Sequence, residues 1–197
     1  MYYVENNDVL EELLFSCRSL QHLEIEGLHI TSTMGASICK NGKTLRVLNL
    51  NHSFVNDELY SYTVPNNDFQ LIIKCCQELK ELDLNYINGH VGLSDGDLKF
   101  LAENIAPNVE KLNLSNQDVE DHHVKIMLSR CNKIKVLHLE STFLTTNSFK
   151  SIRQCLNLTL EELTLAYYGH KPFSCLLQLK SMSRLKILNL YNHRDLD

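Results

Sequence analysis

Cysteine and histidine are the residue types in this 197-residue chain most able to bind metals or carry out redox chemistry. The chain has seven cysteines, but no two are spaced as C-x-x-C, which disfavours a zinc site or a thioredoxin-type centre. His122 and His123 are adjacent at the predicted start of a helix, yet no further ligand lies four residues later. The sequence therefore predicts a solvated pair of histidines and no metal site.

Short catalytic motifs are also missing from the sequence. The patterns G-x-S-x-G, H-E-x-x-H, the P-loop and G-x-G-x-x-G do not occur. The net charge of −5, from 19 basic and 24 acidic residues, does not resemble the basic footprint of a nucleic-acid-binding protein. We therefore expect no catalytic residue, no cofactor and no nucleic-acid partner.

The start of the chain and the length of its apolar runs indicate the cellular compartment of the protein. No apolar run reaches the roughly 18 residues that a membrane span needs. Residues 1–8 lack the basic and apolar regions of a signal peptide. Cysteines of a protein that is not secreted are expected to stay reduced. The sequence predicts no membrane association and a cytoplasmic or nuclear location.

Leucine is the commonest residue type, with 35 copies, and its spacing is periodic. The pattern L-x-x-L-x-L, with Ile or Val as substitutes, occurs seven times. Its first residues are Leu20, Leu45, Leu79, Val109, Ile134, Leu160 and Leu185. Four of the six spacings are 25 or 26 residues, and the other two are 34 and 30. A period of about 20–29 residues with this motif is typical of leucine-rich repeats.

Each repeat continues from a strand into a helix. Polar residues suited to helix capping follow the motifs, among them Thr31 and Ser94, and helical spacing of apolar residues comes next, as at Leu98 and Leu101. One such unit cannot bury its apolar face alone, so neighbouring units must stack. The predicted fold is an α/β leucine-rich-repeat solenoid, a right-handed horseshoe of about seven strand-helix units with a parallel concave sheet, and residues 1–197 form one domain.

The two ends of the array differ from its interior units. The segment 8–16 has the pattern of a helix whose strand is missing, and the chain stops at Asp197, after the seventh strand and without a following helix. Stable arrays need terminal caps with polar outer faces. We therefore expect this chain to be a fragment of a longer array without terminal caps.

Three of the cysteines recur at one position of the repeat. The segments 17–25, 76–84 and 131–139 read C-x-x-L-x-x-L-x-L, with Ile as a substitute. Cys17, Cys76 and Cys131 are therefore predicted to be small apolar residues beneath the next strand. Cys75 cannot face the same core as its neighbour Cys76, which leaves a reactive thiol at Cys75 as an open alternative.

This pattern resembles the cysteine-containing subclass of leucine-rich repeats, over about residues 9–192. That subclass is typical of F-box/leucine-rich-repeat proteins, the substrate receptors of SCF-type ubiquitin ligases. The resemblance implies a non-catalytic module that recognises a protein target for ubiquitin-dependent degradation. A Skp-type adaptor and a cullin would bind only through an F-box, which this chain does not contain. A non-ligase leucine-rich-repeat scaffold or regulatory adaptor is the alternative.

The residue after each strand departs from the pattern of the subclass. Asn or Cys often occupies this position, but here it holds Leu28, Ser53, Ile87, Gln117, Thr142, Tyr168 and His193. The sequence therefore predicts that no side-chain ladder forms there.

The residues between the motif leucines are predicted to point to the concave face, because strand side chains alternate. Six of them are acidic and only Lys111 is basic. A lining of one sign attracts an oppositely charged partner, so we expect a groove for a protein target with a basic segment. A solvated polar face without a partner is the alternative. The predicted partner-binding residues are His22, Glu24, Glu26, Asn49, Asn51, Glu81, Asp83, Asn85, Lys111, His138, Glu140 and Glu162.

The two longer units carry insertions that contain aromatic residues. Tyr60 and Tyr62 lie in the insertion of the 34-residue unit, and Tyr86 lies in that of the 30-residue unit. Insertions in repeat proteins map to loops on one rim and often bind partners. The sequence predicts a second partner-binding cluster at these three tyrosines, with a tolerated loop insertion as the alternative.

Overall fold

The computed structural model describes residues 8–55, 68–168 and 173–193, in which helices and strands alternate along the chain. The helices are α1 (Asp8–Ser16), α2 (Ser32–Lys40), α3 (Asp68–Cys75), α4 (Asp95–Asn104), α5 (Asp121–Arg130), α6 (Thr146–Leu156) and a 3₁₀ helix (Phe173–Ser181). The strands are β1 (His22–Glu24), β2 (Val47–Asn49), β3 (Glu81–Asp83), β4 (Lys111–Asn113), β5 (Val136–Leu139), β6 (Glu162–Tyr168) and β7 (Ile187–His193).

The strands form one parallel sheet in the order in which they occur along the chain. The second leucine of each motif lies in register with that of the next, so Leu23 pairs with Leu48, and Leu48 pairs with Leu82. Each strand therefore contacts only its sequence neighbours, as a solenoid requires. The α/β leucine-rich-repeat solenoid predicted from the periodicity is confirmed.

The core is a single row of apolar side chains between the sheet and the helices. Motif leucines such as Leu48 and Leu82 are buried, and they pack with helix residues such as Met34 and Ile72. Complete burial of a leucine contributes about 1.5–3 kcal/mol. The spacing of the motif thus accounts for the leucine content, because every unit contributes the same layer to the core.

The helices begin at polar residues, as the sequence predicted. The hydroxyl of Thr31 accepts the backbone N–H of Met34 at 3.2 Å. The hydroxyl of Ser94 accepts the backbone N–H of Asp97 at 3.1 Å. Each bond satisfies a helix N–H that has no partner within the helix. The caps therefore fix where the chain leaves the loop and enters each helix.

A residue with left-handed backbone follows each of the first five strands. These residues are Gly27, His52, Tyr86, Asn116 and Ser141, with φ between 56° and 70°. All five occupy the eighth position of their repeat unit. The left-handed conformation turns the chain out of the sheet and ends these strands within one residue of the same position.

The prediction that no side-chain ladder follows the strands is wrong in two units. The hydroxyl of the buried Ser53 donates to the carbonyl of Ile25 at 2.9 Å. The buried Gln117 amide donates to the carbonyl of Leu84 at 3.3 Å and accepts the N–H of Leu93 at 2.8 Å. Serine and glutamine therefore satisfy the loop backbone of the preceding unit, the same requirement that Asn or Cys would meet.

Candidate protein-interaction surface

The outward strand residues form one continuous row on the exposed face of the sheet. In β1, His22 and Glu24 are exposed on either side of the buried Leu23, and β2 and β3 repeat this alternation. The parallel register places equivalent positions of successive units side by side. All twelve predicted concave-face residues lie on these strands or within two residues after them.

Lysine or histidine side chains lie beside much of the acid on this face. Glu81 pairs with Lys111 at 2.8 Å across neighbouring strands. Glu162 contacts His138 at 3.2 Å, and Glu24 contacts His22 at 2.8 Å. The predicted lining of negatively charged side chains is therefore interrupted wherever a lysine or histidine lies beside a carboxylate.

A network of amide and carboxylate side chains connects units two to four. Asp83 accepts the N–H of Asn85 at 2.9 Å and the side-chain amide of Asn113 at 3.0 Å. Asn85 donates to Asn51 at 3.1 Å and accepts from Asn116 at 2.9 Å. These predicted binding residues thus hold their neighbours in place. A partner would meet them as a fixed polar surface.

Two carboxylates of the predicted set, Glu26 and Glu140, have neither an ion pair nor a side-chain amide partner within the described part of the chain. Asp83 also lacks an ion pair there, but it accepts the Asn113 amide. Glu26 is exposed and Glu140 is partly exposed. Both occupy the seventh position of their units, at the rim where the chain leaves the sheet. These two residues are the acidic groups most available to a basic partner.

A charge ladder, formed by Lys80, Glu110, Lys135, Glu161 and Lys186, runs along the opposite rim of the sheet. Glu110 contacts Lys135 at 2.6 Å and Lys80 at 3.5 Å. Glu161 contacts Lys186 at 2.7 Å. The hydrogen bond from Lys135 holds the pKa of the Glu110 carboxyl below its usual value, and Lys186 does the same for Glu161.

The charge ladder was not predicted from the sequence, although its signal is periodic. Every member is the second residue of its motif, and the signs alternate from the third unit to the seventh. Beside the ladder lies an open groove of about 420 Å³, lined also by Val136 and Ile187. The groove therefore combines apolar side chains with charges of both signs.

Tyr86 is the only predicted insertion residue that lies in the described part of the chain. Its hydroxyl contacts Nδ1 of His90 at 2.7 Å, and its ring lies 4.9 Å from the ring of His52. The Tyr86 side chain is partly buried by these contacts. Tyr60 and Tyr62 lie outside the described residues, so the three-tyrosine cluster stays a prediction.

The repeat cysteines are buried to different extents. Cys76 and Cys131 are buried, as predicted, whereas Cys17 is partly exposed. Burial raises the pKa of Cys131 to about 11 and that of Cys76 to about 12. The Cys131 thiol donates to the carbonyl of Ala106 at 3.3 Å, which ties two units together. Both thiols are therefore protonated and structural at neutral pH.

His122 and His123 do not form the predicted solvated pair. The His123 residue is only 3% exposed, and burial lowers the pKa of its ring, with His122 adding to the effect. Nδ1 of His123 accepts the N–H of Glu120 at 3.2 Å and so helps to start α5. Asp95, at the start of α4 in the preceding unit, lies beside both rings. Stacking of the units therefore supplies a neighbour that local spacing did not show.

No helix in the described ranges is long and apolar enough to cross a membrane. No protein-family model matches the sequence, and no curated protein matches it. Among solved structures, the chain is similar to the leucine-rich repeat-containing protein LegL7 from Legionella pneumophila, with 12% sequence identity and a TM-score of 0.38. That similarity covers 98% of this chain and 89% of LegL7.

Proposed function

We propose that this chain is a protein-interaction module that recognises target proteins for an SCF-type ubiquitin ligase, and so serves ubiquitin-dependent protein degradation. The observation that carries the proposal is the continuous row of outward side chains on seven parallel strands. Such a surface is rigid before binding, because every interior strand is hydrogen-bonded on both sides. Preorganisation reduces the entropy that a partner must lose on docking.

The charge distribution favours a target with a basic segment. Glu26 and Glu140 provide carboxylates without ion-pair partners among the described residues, whereas Glu81 already contacts Lys111 and Glu162 already contacts His138. A lysine or arginine of the target can approach Glu26 or Glu140 without breaking an existing ion pair. Carboxylates at the rim of an interface mainly raise the association rate and set specificity.

The ligase role is supported by the cysteine-containing repeat pattern. Cys76 and Cys131 occupy the position that the subclass assigns to a small buried residue. A substrate receptor needs no catalytic group, since it acts by raising the local concentration of its target. A Skp-type adaptor and a cullin would join through an F-box outside these residues, in the cytoplasm or the nucleus.

Affinity purification of the full-length gene product from cells with inhibited proteasomes tests both parts of the proposal. We expect the Skp-type adaptor and the cullin to co-purify together with ubiquitylated targets. In the double variant Glu26→Lys/Glu140→Lys, we expect target recovery to fall about fivefold, since two exposed charges contribute about 1 kcal/mol. Adaptor recovery should not change.

The matched control is Glu103→Lys, which reverses an exposed charge on α4 away from the sheet face. It should leave recovery of both targets and adaptor as in the native protein. Targets captured through Glu26 and Glu140 without adaptor or cullin would contradict the ligase role and favour the non-ligase scaffold. An equal loss of targets in the control would contradict the concave site.

A further inference from the structure

We propose that Asp95, His122 and His123 bind one divalent transition-metal ion of the zinc class. Each residue offers one ligand atom, and the three atoms lie within 4.8 Å of one another. Two imidazoles and one carboxylate are a donor set that suits Zn²⁺ and leaves a fourth position for water. Asp95 comes from α4 and both histidines from α5, so the ion would join two successive units.

The distances between the ligand atoms suit a tetrahedral ion. Nε2 of His122 lies 3.5 Å from Oδ1 of Asp95, and Nε2 of His123 lies 3.2 Å from the same oxygen. Zinc bonds of about 2.0–2.1 Å give tetrahedral edges of about 3.4 Å. An ion can therefore contact this oxygen and either nitrogen with only a slight shift of the side chains.

A buried nitrogen without a hydrogen bond points independently to a ligand at this place. Nε2 of His123 makes no hydrogen bond of acceptable geometry in the described structure, although the residue is only 3% exposed; Oδ1 of Asp95 lies 3.2 Å away. A buried polar atom without a partner is costly and rare. A metal ion between His123 and Asp95 would satisfy this atom.

A second carboxylate orients the His122 ring. Oε2 of Glu120 lies 3.5 Å from Nδ1 of His122, on the side of the ring away from Asp95. An Nδ1–H that faces a carboxylate leaves the Nε2 lone pair free, as is usual for metal-ligating histidines. The positive ends of the α4 and α5 dipoles oppose a cation here, and the carboxylates of Asp95, Glu120 and Asp121 offset them.

Metal binding must compete with a helix cap. Nδ1 of His123 accepts the N–H of Glu120, which places the proton of the neutral ring on Nε2. Ligation through Nε2 requires that proton to move to Nδ1, where it ends the bond from Glu120. The site therefore predicts a specific signature: the His123 tautomer changes when the ion binds.

Calorimetric titration of the metal-free full chain with Zn²⁺ tests the site. Asp95→Asn and His122→Asn should each weaken binding at least about 100-fold, since even outer-shell partners contribute about 10–100-fold. The Asp95 side chain is largely exposed and that of His122 is about half-exposed, so the variants should fold. The matched controls Asp118→Asn and His90→Asn should stay within about twofold of the native affinity.

Long-range ¹H–¹⁵N spectra of the histidine rings provide a second readout. With Zn²⁺, we expect the His123 proton to move from Nε2 to Nδ1, and the Nε2 signals of both rings to shift. Thiols are also zinc ligands and the chain has seven, so the two ligand variants decide between the two possible sources of binding. Undiminished binding in both variants, or ring signals that do not change, would assign the ion to cysteines and overturn the proposal.

Discussion

The first five repeat units and the last two differ in the length of their strands and in the helix that follows the strand. Strands β1 to β4 have three residues each and β5 has four, whereas β6 and β7 have seven each. β6 and β7 pair over all seven residues. An α-helix follows β1 to β5, but the 3₁₀ helix Phe173–Ser181 follows β6. The sixth unit therefore keeps the predicted order of strand and helix, but its strand is longer and its helix is of the 3₁₀ type.

The side chain at the fifth position of the unit explains part of this difference. In units two to four, Asn49, Asp83 and Asn113 each accept the backbone N–H two residues later. Such local bonds bend the chain into a turn. In the last units, the Asn189 amide donates instead to the hydroxyl of Thr164. The strands therefore continue where the earlier units turn.

The residue at the eighth position of the unit also favours a turn in the early units and a longer strand in the sixth. Glycine and asparagine adopt the left-handed conformation readily, and they occupy this position at Gly27 and Asn116. The equivalent residue in the sixth unit is Tyr167, an aromatic residue that favours strands. A longer strand leaves fewer residues for the return, and a 3₁₀ helix covers about 2.0 Å per residue against about 1.5 Å in an α-helix.

Burial of the motif leucines differs as well. Leu48 and Leu50 are 0% exposed, whereas their equivalents Leu188 and Leu190 in the last described unit are 43% and 42% exposed. The residue type and the motif position are the same. A motif leucine is therefore buried only when other parts of the chain cover both sides of its strand, since no unit encloses its own core. The helix α1 precedes the buried Leu23 of β1, whereas no described element follows β7.

Truncation of one leucine in each region should give the largest effect. Leu48→Ala should reduce the free energy of unfolding by about 3 kcal/mol, because it leaves a cavity between two units. Leu188→Ala should cost about 1 kcal/mol or less, because that side chain is half-exposed. Urea denaturation followed by circular dichroism measures both. Equal losses would mean that another surface covers β7.

The left-handed turn can be tested at the first unit. Gly27 has φ of +70°, and an added Cβ would meet no atom within 4 Å. Gly27→Ala should therefore destabilise the protein by about 1–2 kcal/mol through backbone strain alone. The control Gly96→Ala lies in α4, where it should stabilise by about 0.5–1 kcal/mol. Thermal unfolding of the two variants should shift in opposite directions; a shift in the same direction would contradict the role of the turn.

The charge ladder runs from the third unit to the seventh and so lies in both regions. Removal of one of its charges should have the smallest effect on stability. Glu110 contacts two lysines, so Glu110→Gln should destabilise by a few tenths of a kcal/mol at pH 7 and low salt. The pKa of Glu110 is lowered on folding, so this contribution is complete above the ordinary value of 4.5 and disappears as the pH falls through the lowered value. Denaturation at pH 7 and pH 3 checks this, and a difference that persists at pH 3 would contradict it.

The periodic features of this protein follow from its sequence alone. The seven motifs specify the strands, their register and the buried leucines, since each depends on a spacing that recurs within one unit. The helix starts at Thr31 and Ser94 were also predicted, because a cap and the N–H groups that it accepts are only a few residues apart. Local rules suffice where the interacting residues are close along the chain.

Contacts between units were decided only by the tertiary structure. Asp95 reaches His122 and His123, Lys111 reaches Glu81, and the charge ladder forms, because stacking brings residues about one repeat apart into contact. Counting the acidic residues of the sheet face, or looking for metal ligands close to the histidines along the chain, could not show these pairs. The leucine spacing therefore determines that the units stack, and the stacking determines which polar side chains meet.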